Sequence, residues 1–236
     1  MAVSLPNPQV WSRLVELPDL KKGEAEIALA SRLNKYLPYR SEAWSLFSSE
    51  ARVTSLSPGK RAWFATLASN GGIKAIVTLL EPFAARWENR QLEVPARSLL
   101  RWLLWERPDM ARGVHAAVHI GDSHALIWAC SEGTLVMSRE VDLAPVGPGD
   151  PAFEDAVTLS LIARQVHSAV TWLRLRTLSC EITPVDLVLS GRHAGRAPLV
   201  EALERELSLP VVTLEKSRLQ TAGGEVACGL SLTGVD

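Results

Sequence analysis

The residues best placed to do chemistry lie in Ala116–Val141, AAVHIGDSHALIWACSEGTLVMSREV, which reads as three strands joined by Gly121-Asp122-Ser123 and by Ser131-Glu132-Gly133. A Gly-Asp-Ser turn can present backbone N–H groups to a phosphate. In nucleotide-binding folds the strand entering such a turn commonly ends in an acid, whose hard carboxylate oxygens hold water and Mg²⁺. Here that position is His119, and a neutral imidazole does not supply the charge. The same turn has a purely structural reading, in which Gly121 provides φ > 0 and Asp122 caps the hairpin.

His115, His119 and His124 raise the question of a metal. Positions four apart on an extended strand, as His115 and His119 are, stand roughly 13 Å from each other at ~3.3 Å per residue, too far to share an ion; His119 with His124 across the turn is the remaining pairing, and buried or half-buried structural histidines are the expectation. Asp122 and Asp186 are the carboxylates available for a two-metal nuclease, but the first strand of the set lacks the central acid such a site needs. No Ser/His/Asp or Cys/His set with an orienting third group emerges from the spacing. Cys130, Cys180 and Cys228 are widely separated and form no CxxC pair, which points to small buried hydrophobes in a reducing compartment.

Composition narrows the partners. With 47% hydrophobic and 22% charged residues the chain is that of a globular protein, long enough for one large domain or two lobes. A net charge of −1 gives no footprint for nucleic acid or an anionic membrane. No stretch approaches the roughly 20 apolar residues of a membrane span, and the first ten residues lack the features of a signal peptide. Direct membrane insertion is therefore not expected.

The elements that must position these residues follow from periodicity and breakers. Val3–Leu5 and Val10–Glu16 read as extended, separated by Pro6-Asn7-Pro8. A helix is expected over Lys21–Leu37, with Ile27, Ala30, Leu33 or Asn34, and Leu37 on its buried stripe and Pro38 ending it. Trp44–Phe47 and Arg52–Ser55 read as two short strands, and Ser57-Pro58-Gly59-Lys60 as a turn into the strand Ala62–Ala68. A helix Ile73–Trp87 should bury Ile76, Leu79, Leu80 and Phe83 and kink near Pro82, and a second, Val94–Trp105, should bury Leu99, Leu100, Trp102, Leu103 and Trp105. Glu106–Gly113 reads as a linker, dividing the chain into lobes 1–112 and 113–236, with Arg101, Arg107 and Arg112 on a solvated face.

In the second lobe the strands Val114–Ile120, Ala125–Cys130 and Thr134–Glu140 form a meander. A long helix within Glu154–Leu178 follows, burying Leu159, Ile162, Val166, Ala169 and Leu173. A strand Val185–Leu189, a helix Pro198–Leu207, a strand Val211–Leu214 and a helical segment Gly223–Leu232 complete it. Three antiparallel strands followed by α-β-α-β-α specify an α/β architecture, helices packed on a mixed sheet. Most of the eight tryptophans should fill the core, with a few left as interface anchors.

Several strings in this order resemble PilM, the actin-like ATPase family of type IV pilus assembly. They are VSLPNPQVWSRLVELPDL with EAEIALASRLNKYLPYRSEAWSLF, LSLIARQVHSAVTWLRLR, VDLVLSGRHAGRAPLVEALERELSLPVV and EVACGLSLTGVD. The resemblance covers nearly the whole chain. It implies an actin-like (RNase H-like) fold of two lobes, with a family-specific subdomain inserted in the first. It also implies that Gly121, Asp122 and Ser123 form the second phosphate loop and Gly191 part of the adenosine-binding turn.

Against that pattern four elements depart. The sequence starts after the position of the first phosphate hairpin; His119 replaces the acid; Ser190-Gly191-Arg192-His193-Ala194-Gly195 places two bulky side chains where consecutive glycines belong; and Val141–Phe153 is too short for the lid subdomain. The expectation is a reduced pseudo-ATPase with no cofactor, the alternative being an actin-like switch, of pilus assembly or related to FtsA of cell division, that binds ATP with Mg²⁺.

The resemblance further implies a cytoplasmic scaffold held at the inner membrane by a partner. Tyr36, Leu37, Pro38 and Tyr39 would then form one wall of a groove for the cytoplasmic tail of a bitopic, PilN-like pilus or secretion protein. An ordinary helix end with aromatic contacts is the competing reading of the same residues. Self-association is a further expectation; nucleic acid is not.

Overall fold

The computed structural model describes residues 2–4, 10–33, 43–53, 56–82, 91–121, 124–142, 156–176, 183–191 and 194–214. Its strands form three sheets.

The first of these pairs β1 (Ala2–Ser4) in parallel with β5 (Gln91–Glu93), a strand too short to show any alternation in the sequence. The second is antiparallel, with β4 (Lys60–Ser69) between β2 (Val10–Pro18) and β3 (Trp44–Ala51). Strand β3 is one continuous element ending at Ala51, where two short strands were expected; Arg52 and Val53 lie outside it. Gly59, at φ 75°, supplies the left-handed residue that the Pro58-Gly59 turn into β4 requires.

Residues alternate between the two faces of this sheet, as a strand period of two demands. Val15, Leu17, Trp63, Ala65 and Leu67 meet Ala25, Leu29 and Leu33 of helix α1 (Lys22–Leu33) in one core. The expected stripe through Ile27 is therefore corrected: Ile27 is 74% exposed, because the i, i+4, i+8 row Ala25-Leu29-Leu33 is the one that faces the sheet. Helix α2 (Asn70–Leu80) is capped by Ser69, whose Oγ accepts from the N–H of Gly72 at 3.0 Å. Here too the expected burial fails. Leu79 is 71% exposed and Gly72 is the buried residue of the helix, which stops two residues before Pro82.

Helix α3 (Pro95–Glu106) begins with proline at its first position and buries Leu99, Leu100, Trp102 and Leu103; Trp105, expected inside, is half exposed. Its N-terminal half closes over Glu93. That carboxylate is nearly sealed from solvent, accepts from Ser98 Oγ at 2.9 Å and Arg101 Nη1 at 2.8 Å, and pairs through its second oxygen with Arg101 Nη2. Arg101 is thus part of a buried ion pair rather than a solvated face. A 3₁₀ turn, Pro108–Ala111, leads out of α3, and Arg107, just before it, forks onto Asp109.

The third sheet has five strands in the order β10-β9-β6-β7-β8. Strands β6 (Val114–Ile120), β7 (His124–Ser131) and β8 (Thr134–Asp142) form the expected antiparallel meander, while β9 (Leu187–Gly191) and β10 (Val211–Thr213) add in parallel beyond β6. The two-residue turn between β7 and β8 places Glu132 at φ 49° and Gly133 at φ 69°, the doubly left-handed geometry that matches strand twist. Helix α4 (Ala156–Arg176) buries Leu159, Ile162, Ala163, Val166, Ala169 and Val170, and α5 (Ala197–Leu207) buries Leu199, Leu203 and Leu207. Leu173 falls outside the described side chains, and the segment Gly223–Leu232 outside the described residues.

Candidate functional site

Parallel strands in an open α/β sheet direct ligands to their carboxyl ends. In this sheet those ends are Ile120-Gly121 of β6 and Ser190-Gly191 of β9, which lie side by side with Ile120 in register with Gly191. The structure therefore brings together Gly121 and Gly191, two residues 70 apart in sequence that the resemblance assigns to one cleft. Asp122, Ser123, Tyr36, Leu37, Pro38 and Tyr39 lie outside the described residues.

Gly191 has a backbone reason to be glycine. Its φ is 95°, and a Cβ added there would meet the carbonyl oxygen of Ile120 at 2.3 Å, with the Ile120 nitrogen at 2.9 Å. Both are main-chain atoms of the neighbouring strand and have no rotamer by which to withdraw. Gly121 is engaged as well: its N–H donates to the carbonyl of His124 at 2.9 Å, and its φ, expected positive, lies outside the left-handed region.

One step back along the two strands stands His119, in register with Ser190. Its Nδ1 shares a hydrogen bond with the buried Ser190 hydroxyl at 3.2 Å. Burial, reinforced by His124, pushes its pKa down to about 4, so the ring is neutral at physiological pH. The position that would carry a carboxylate for magnesium-bound water thus holds an uncharged group whose Nδ1 is occupied. A neutral imidazole suits softer, nitrogen-preferring metals, but among the described residues no three His, Cys, Asp or Glu side chains gather to hold an ion.

Asp186 belongs to the opposite end of the sheet. Its carboxylate meets His115 Nδ1 at 2.7 Å, while His115 Nε2 faces the carbonyl of Arg112 at 2.8 Å. Seven residues of β6 separate His115's end from Gly121, roughly 20 Å at ~3.3 Å per residue. The two-metal reading with Asp186 and the Gly121 turn converging is therefore excluded by geometry. His115 and Asp186 are 71 residues apart, and no local pattern announces the pair. Cys130, beside this end, is buried, and desolvation pushes its thiol up to about 12, so it is an inert core residue.

A cleft of about 500 Å³ lies elsewhere, on the α1 side of the three-stranded sheet, lined by Asp19, Lys21, Lys22, Ser48, Glu50, Arg61 and Trp63 among others. Arg61 there is paired with both Asp19 and Glu50, and Asp19 above all holds its pKa above the usual guanidinium value. No helix among the described residues is long and apolar enough to cross a membrane.

The strand order, with two parallel strands added beyond the first strand of an antiparallel meander, is that of a reduced actin-like, RNase H-like lobe, and the remaining sheets and helices extend it. In fold the chain is PilM-like. It superposes on a chain of the PilM–PilN type IV pilus biogenesis complex with a TM-score of 0.76 and 15% identity, over 100% of this chain and 79% of the other. Likeness extends, below a TM-score of 0.5, to two further structures. The cytoplasmic domain of EpsL, an inner membrane component of the type II secretion system of Vibrio cholerae, gives 0.47 at 16% identity, over 99% of this chain and 77% of that one. A Bacteroides thetaiotaomicron protein with an actin-like ATPase fold and unknown function gives 0.45 at 9% identity, over 92% and 70%. No family model and no curated protein sequence matches the chain.

Proposed function

We propose that the protein is an actin-like scaffold of a type IV pilus or type II-like secretion assembly complex, one that docks the cytoplasmic tail of an inner-membrane partner and does not work as an ATPase. The observation that supports the assembly role is the superposition of the whole chain on a chain of the PilM–PilN type IV pilus biogenesis complex. Tyr36, Leu37, Pro38 and Tyr39 are the residues proposed to line the groove. Docking of an extended tail there would draw on apolar pockets and backbone hydrogen bonds, and would hold an otherwise cytoplasmic protein at the membrane periphery. Contacts between copies of the chain would add to it.

The loss of nucleotide chemistry is supported by His119. A group kept neutral by burial supplies no carboxylate oxygen to hold magnesium and its water, and a Gly191 pressed against Ile120 is accounted for without a purine. Two measurements separate the parts of this reading. Calorimetric titration with Mg-ATP should be flat; a saturable heat would instead make the protein an ATP-binding actin-like switch. Independently, a peptide copying the apolar cytoplasmic tail of a single-span protein encoded beside this one should be captured by the wild type and not by Tyr39→Glu. Equal capture by both would remove the groove assignment.

A further inference from the structure

The three-stranded sheet does not hang from the rest of the protein as a separate subdomain. One of its faces carries α1; the other, with Leu14, Ala51, Ala62 and Phe64, enters the same continuous core as Leu103 of α3, Trp128 of β7 and Val136 of β8. Strand β8 shows the consequence. It is an edge strand, yet Leu135, Val136 and Met137 are all buried in succession, which requires cover on both faces because successive side chains alternate. A polar clasp sits at the same joint: the Arg52 N–H donates to Thr134 Oγ1 at 2.9 Å, and that oxygen lies 2.7 Å from its acceptor, the Ser131 carbonyl.

We propose that this shared core locks the chain before residue 112 to the five-stranded sheet after it, so that the two halves neither open about a cleft nor unfold separately. A large apolar interface between halves of a chain removes the relative motion that is otherwise the default. The inference goes beyond the proposed function and does not depend on it. A protein with locked halves is a rigid docking platform whether or not a nucleotide binds, and the titration above can fail without touching it.

The test is pulsed hydrogen–deuterium exchange of the intact protein through a urea series, following peptides from β4 (60–69) and β7 (124–131). Locked halves give one midpoint for both, coincident within about 0.2 M, as a single cooperative unit requires. Phe64→Ala should lower both midpoints by the same amount, and the milder Thr134→Val, which removes the clasp and keeps the side-chain shape, should do so to a smaller extent. Exchange of β4 at a lower urea concentration than β7 in the wild type, or a Phe64→Ala shift confined to β4, overturns the lock.

Discussion

Replacing Gly191 by alanine separates a structural from a ligand-binding role at the carboxyl ends of β6 and β9. At φ 95° any residue with a Cβ is strained, and the added carbon would stand 2.3 Å from the Ile120 carbonyl oxygen and 3.0 Å from its carbon. Holding an L-residue in such a backbone region costs about 1–3 kcal/mol. Forcing an extra carbon into a packed site adds about 1–3 kcal/mol, since β6 must shift to admit it. Against these, alanine loses less unfolded-state entropy than glycine, a gain of only ~0.4–1 kcal/mol. The net loss is then about 3–4 kcal/mol, which for a urea slope near ~3 kcal/mol per molar moves the unfolding midpoint down by roughly 1 M. Equilibrium urea unfolding followed by circular dichroism reads this directly. If Gly191→Ala shifts the midpoint by less than ~0.3 M, the close approach to Ile120 is not what holds this position as glycine, and the case for a bound purine revives.

Three further outcomes are expected. Glu93→Ala should cost about 3–5 kcal/mol in urea unfolding, because Arg101, mostly buried, loses the Glu93 carboxylate, whereas Glu93→Leu combined with Arg101→Leu should cost far less. In helix α1, Leu29→Ala should cost about 2–5 kcal/mol and Ile27→Ala within about 0.5 kcal/mol, since the first side chain is fully buried and the second largely exposed. His119 has a pKa of about 4 when folded and about 6.5 when unfolded. Between those values the unfolded chain binds more protons, so the contribution of His119 is complete above the upper value and is lost as pH falls towards the lower one. Midpoints measured from pH 7 to pH 4 should therefore fall less for His119→Asn than for the wild type.

The elements that were legible in the sequence are those whose signals are local. Glu132 and Gly133, left-handed in the structure, mark the β7–β8 turn between two apolar runs, and the apolar positions of α4 recur from Leu159 to Leu173, about four turns. What stayed hidden depends on neighbours far along the chain. Strand β5 has three residues and exists through its pairing with β1. On α1 two apolar stripes were available, and only the position of the sheet decides that Leu29 is covered and Ile27 is not. The apolar residues of α2 look like a buried face in sequence, but Val77 and Leu79 face outward. Of the candidate site, the nearness of Gly121 to Gly191 came through the resemblance. The desolvation of His119 and the His115–Asp186 contact were invisible because the partners, His119 with Ser190 and His115 with Asp186, stand 71 residues apart with β7, β8 and α4 between them.

The pairing of β1 with β5 also sets an order of events on the ribosome. Ala2 is in register with Gln91, so the first strand emerges without a partner and must remain unpaired while the intervening ~90 residues are made, an interval of roughly 5–18 s at ~5–20 residues per second. During that time the antiparallel β2–β4–β3 sheet can close on itself, whereas β1 remains open to chaperones and proteases.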